Sequence, residues 1–131
     1  MTAATIAAQW LAKADNDLKN ADHTLKMGED CPYDTVCFHA QQAVEKCIKA
    51  LLTRHSIPFP KSHDVGELKT LLPSNITLPL SLDEQEILSD YAIAGRYPGE
   101  IEPIGRQEAR EALKIAKRVR DSIGNLLRTA P

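Results

Sequence analysis

The segment from Cys37 to Leu52, CFHAQQAVEKCIKALL, constrains this chain more than any other. At 3.6 residues per turn, Cys37, Ala40, Gln41, Val44, Cys47, Ile48, Leu51 and Leu52 fall in one sector, the pattern of an amphipathic helix. His39, Gln42, Glu45, Lys46 and Lys49 fall opposite, giving an expected polar face whose side chains could hold a ligand. Gln41 breaks the division, because its carboxamide points with the apolar set. Burying such a group without partners costs about 1–3 kcal/mol, so Gln41 is expected to find bonds in the fold or in a partner.

The remaining helices follow from the same periodicity. Over 5–27, Ala7, Trp10, Leu11, Ala14, Leu18, Ala21 and Leu25 recur at three- and four-residue steps, and Gly28 is a stop. Trp10 reads as a core anchor, with base stacking as the alternative. The second helix runs to about His55, where Ser56-Ile-Pro-Phe-Pro cannot continue it. A short helix is expected over 64–72, with Asp64 as cap and Pro73 as terminator. Residues 73–81, PSNITLPLS, read as loop. Ser81 or Asp83 can cap a helix over 82–94 that faces Ile87, Leu88 and Tyr91 inward, and the acids at 83, 84 and 86 suit its first turn. The last helix spans 104–127 on a stripe from Ala109 to Leu127, flanked by Arg106, Arg110, Lys114, Lys117 and Arg118. Arg120 sits at the edge of that stripe, either snorkelling outward or paired with an acid on a neighbouring helix. No strand is expected. The fold class is all-α: an antiparallel four-helix bundle with one additional short helix.

At 131 residues the chain has the length of one domain. Only 5% of residues are aromatic, so the core must be built from Leu, Ile, Val and Ala. Asp15, Asn16 and Asp17 interrupt the first 25 residues where a signal peptide would need an apolar run. Nothing approaches the ~18 apolar residues of a membrane span, so a cytoplasmic location and no membrane contact are expected. The three cysteines lack metal-ligand spacing. Cys37 and Cys47 read as small buried hydrophobes, which leaves Cys31 as the candidate for an accessible thiol. No metal or cofactor is expected.

The net charge of −2 conceals a segregation. Residues 35–61 carry four basic and one acidic side chains and residues 104–131 seven and three, whereas residues 1–34 carry three and six and residues 62–103 two and eight. If the central and last helices are neighbours, their outer faces form either a positive binding surface or merely a solvated one.

Segment 38–52, followed by KSHDVGELKTLL (61–72) and YAIAGRYP (91–98), resembles the HEPN family of small prokaryotic helical domains, and the resemblance spans nearly all of residues 1–131. It implies a single HEPN-like domain similar to those encoded beside a minimal nucleotidyltransferase in toxin–antitoxin-like two-component systems. It also implies pairing into homodimers. Many members resemble metal-independent ribonucleases whose signature is an Arg followed after four to six residues by a His. Here none of His23, His39, His55 and His63 has an arginine at that spacing, and no histidine follows Arg96. The expected function is therefore binding of nucleotide or RNA phosphates in a regulatory role without catalysis. A degenerate or noncanonical ribonuclease toxin, for example one joining His39 to Arg96, is the alternative, and a purely structural dimer is a third. The expected ligand-binding residues are His39, Gln42, Lys46, Lys49, His63, Arg96 and Tyr97. Cations and donors on one helix face can hold phosphate, Arg96 is expected to be held between a helix stop and a proline with Tyr97 beside it to stack or donate, and His63 precedes an expected helix N-terminus.

Overall fold

The computed structural model describes residues 1–92 and 103–129. Arg96 and Tyr97 lie outside the described residues. The chain is all-helical: α1 (Ala3–Leu25), α2 (Tyr33–Arg54), the short α3 (Val65–Thr70), α4 (Leu82–Tyr91) and α5 (Arg106–Thr129). Helices α1, α2 and α5 pack against one another as the body of the bundle, and α3 and α4 close it against α2. Among the described residues no helix is long and apolar enough to cross a membrane.

The ends of the helices follow local chemistry. Asp64 Oδ1 accepts from the N–H groups of Gly66 and Glu67 and starts α3. Ser81 and Glu84 form a reciprocal capping box at the start of α4. Helix α2 stops in a Schellman arrangement, Ile57 N–H donating to Leu52 O and Ser56 N–H to Thr53 O. The left-handed position of that motif is occupied by Ser56, at φ 57°. The loop before α4 is tied down by Lys69 Nζ on Leu80 O and Arg118 Nε on Pro79 O, and it buries Leu78 and Leu80 in the core.

The centre of the molecule is α2, and here the structure corrects the sequence reading. Its expected polar face is not open: Glu45 is 2% and Lys49 7% exposed, alongside the buried apolar sector. A single helix projection has one inside and one outside, but between Ala43 and Leu52 every position of α2 except Lys46 is buried. Helix α1 and the 57–63 turn cover the flank that carries the charged residues. Cys31 is also buried, which corrects its reading as an accessible thiol; all three cysteines are free and buried. Burial pushes the thiols of both Cys37 and Cys47 up to about 12.

Helices α2 and α5 are neighbours, and part of the basic excess on them is paired. Acids from the acidic segments answer it. Arg120 forks onto Asp15, Lys117 reaches Asp22 at 2.7 Å, and Lys46 reaches Asp17 at 2.6 Å. Arg118 reaches Glu84 and holds its carboxyl below the usual range. Arg120 therefore follows the ion-pair reading, and its own pKa is raised by the Asp15 bond. These four pairs tie α1 to α2 and α5, and α4 to α5.

Candidate functional site

Two carboxylates organise the polar flank of α2. Asp17 sits on the shoulder of the Ala14–Leu18–Ala21 stripe of α1, almost fully buried. One of its oxygens meets His39 Nδ1 at 2.9 Å and the other accepts from Lys46 Nζ. His39 and Lys46 are seven residues apart, two helical turns, so both reach the same acid from one face of α2.

Glu45 is the second anchor. Its Oε1 lies 2.8 Å from His63 Nδ1 and its Oε2 lies 3.5 Å from Lys49 Nζ. Lys49 also lies over the rings of Trp10 at 5.4 Å and Phe59 at 5.9 Å, which meet each other edge to face. A buried ammonium held by a carboxylate and two aromatic faces is a structural cation. Trp10 belongs to that assembly, and Lys49 is closed to a ligand.

Between the anchors lies a chain of carboxamides. Gln42 Nε2 donates to Gln41 Oε1 at 2.8 Å, and Gln41 Nε2 donates to the His63 carbonyl at 3.0 Å. The cost of burying Gln41 is thus met within the fold. These bonds, with the Glu45–His63 contact, pin the 57–63 turn onto α2.

Of the seven residues singled out in the sequence, the structure gathers His39, Gln42, Lys46, Lys49 and His63 around one flank of α2. Lys46 and Lys49 are neutralised there, and His39 is three-quarters covered. His63 differs, because its side chain remains 71% exposed while its Glu45 anchor is buried. With Nδ1 directed at the carboxylate, the ring is oriented and its Nε2 edge is left for a ligand. The α3 terminus beside it is not an open anion site, since Asp64 already occupies the N–H groups.

The sequence reading missed Asp17 and Glu45 as anchors. Lys49 four residues after Glu45 signalled an internal ion pair. Nothing in the sequence marked Asp17.

A second polar group lies at the start of α2, where Tyr91 donates to Glu108 Oε2 at 3.1 Å. Burial raises the Tyr91 pKa, and the Cys37 thiol lies within reach of its hydroxyl. Among the described residues no group of His, Cys, Asp and Glu could hold a metal ion.

The family model of the HEPN domain matches residues 7–126, nearly the full helical body just described. The chain belongs to the HEPN family. A crystal structure of TT1696 from Thermus thermophilus is 31% identical with a TM-score of 0.76, covering 91% of this chain and 96% of that one. The crystal structure of ST0689, an archaeal HEPN homologue, is 26% identical with a TM-score of 0.72, covering 92% of this chain and 97% of that one. No curated protein matches the sequence. Both likenesses run almost end to end, so this HEPN chain and its relatives share the whole bundle.

Proposed function

We propose that this HEPN protein is a cytoplasmic regulatory module that binds the phosphates of a nucleotide or RNA on the flank of α2, and that it works beside a minimal nucleotidyltransferase without catalysis of its own. The observation that carries the reading is His63, an exposed imidazole held through Nδ1 by the buried carboxylate of Glu45. A fixed ring contributes to binding without the entropy that a free side chain would lose. When the ring is protonated, Nε2–H donates to a phosphate oxygen. His39 and Gln42 supply further polar atoms on the same flank. Arg96 and Tyr97 complete the proposed set from outside the described residues. The nucleotidyltransferase and toxin–antitoxin context rests on the family alone. The test is titration of ATP and of short RNA at two salt concentrations; phosphate contacts predict binding that weakens as salt rises. No affinity at low salt would leave a structural role.

A metal-independent ribonuclease is the second reading, because a carboxylate-held imidazole is also what proton transfer requires. Metal-free incubation with RNA separates the two. Cleavage that disappears in His63→Ala or His39→Ala would make the protein an enzyme.

The protein is further proposed to act as a homodimer. Support comes from α4, where Leu82 is exposed and Ile87, expected to face inward, is exposed as well. Sedimentation showing only monomer at concentrations of tens of micromolar, where a C2 dimer of ordinary affinity is populated, would contradict this.

A further inference from the structure

The first turns of α1 meet the last turns of α2 and α5 around a groove of about 220 Å³. Its apolar lining includes Ala7, Ala8 and Leu11 of α1 and Leu127 of α5. Its lining includes Arg120 and Arg128 of α5, and no acidic side chain among the described residues. An arginine in the last turn of a helix ordinarily serves the helix dipole. Here the guanidinium atoms have a more specific arrangement.

Arg120 spends Nε and Nη2 on Asp15, and Arg128 spends Nη2 on Asn125. Their Nη1 atoms converge beside Gly124. A methyl group built on that glycine would lie 2.9 Å from Arg120 Nη1 and 3.9 Å from Arg128 Nη1. Arg120 Nη1 lies 4.0 Å from the exposed Asp121, beyond hydrogen-bond distance. Two N–H-bearing atoms thus flank one point at the wall of an apolar groove. The Asp15 fork fixes one of them in place.

We propose that this groove binds a small amphiphilic oxyanion, its carboxylate or phosphate head between the Nη1 atoms of Arg120 and Arg128 and a short alkyl chain on Ala8, Leu11 and Leu127. The volume lies below the ~300 Å³ at which pockets for drug-sized ligands begin, which fits a short chain better than a whole nucleotide. The two Nη1 donors call for an acceptor-rich head, and the apolar lining sets the nature of the tail. The groove shares no residue with the His63 flank, so either proposal can fail alone.

The test is calorimetric titration of the full chain with octanoate, hexyl phosphate and octylammonium. Ala8→Phe fills the groove and Arg128→Gln removes one side of the head site; both positions are exposed, and circular dichroism checks that each variant folds. The expected result is uptake of at least one of the two anions, no uptake of octylammonium, and at least tenfold weaker binding in each variant. Which anion binds decides between carboxylate and phosphate. The proposal is overturned if neither anion binds, if octylammonium binds as well, or if either variant keeps the wild-type affinity.

Discussion

His63 Nδ1 lies 2.8 Å from Oε1 of Glu45, joining an exposed imidazole to one of the most deeply buried carboxylates in the protein. The same carboxylate faces Lys49, itself enclosed by Trp10 and Phe59. A single acid therefore closes the 57–63 turn over α2 and orients the ring that faces solvent.

Removing that acid leaves a buried ammonium without its counter-ion. Glu45→Gln is expected to lower stability by about 3 kcal/mol, the scale on which breaking one side of a buried pair acts. Glu45→Met combined with Lys49→Met should recover most of the loss, since volume is kept and no charge is stranded. Urea unfolding of the single and double variants measures both. Equal losses in the two would show that the ion pair is not what holds this region.

The end of α2 offers a stabilising change. Ser56 holds a left-handed conformation that costs an L-residue about 1 kcal/mol and costs glycine almost nothing. Ser56→Gly should therefore raise the melting temperature by about 4 °C for a domain of this size. Calorimetry would contradict the assignment by showing a decrease.

How much of this was legible in the sequence depends on which face of a helix is considered. The apolar sector of α2, the burial of Gln41, the caps at Asp64 and Ser81, and the family all follow from periodicity, turn chemistry and three short blocks. The fate of Glu45, Lys49 and Cys31 does not, because each is covered by elements distant in sequence. Helical projection treats a polar flank as solvated, and only the return of the 57–63 turn and the approach of Trp10 bury it. Asp17 was hidden for the same reason, as a surface aspartate and an interhelix anchor look alike on one helix. Arg120 gave a stronger signal. A guanidinium at the rim of an apolar stripe must either snorkel or pair, and Asp15 supplies the pair.

The cysteines should be inert in the folded protein. Cys37 and Cys47 have thiol pKa values pushed up to about 12 by burial, and Cys31 is covered as well. Since the thiolate is the nucleophile, an aromatic disulfide reagent at neutral pH should find no rapidly reacting thiol until denaturant is added. A thiol modified within seconds under native conditions would show that one of these sites opens.

Acid should weaken the tie between α4 and α5. The bond from Arg118 holds Glu84 below its ordinary value of 4.5, with the capping contacts to Ser81 adding to the effect. A carboxyl depressed in the folded state binds fewer protons there than in the unfolded chain. Its contribution is full above the unfolded value and is lost as pH falls through the lower folded one. Unfolding free energy measured from about pH 5 to about pH 3 should thus fall more steeply in wild type than in Glu84→Gln. Parallel profiles would contradict it.

Nitrogen-resolved NMR of the imidazole rings reports on the exposed edge of His63 without an intermediary. On addition of ATP at low salt, the account predicts a progressive shift of His63 Nε2, with Nδ1 still bonded to Glu45, and reversal of that shift as salt is raised. Saturating ATP that leaves both nitrogens of His63 unmoved would contradict it.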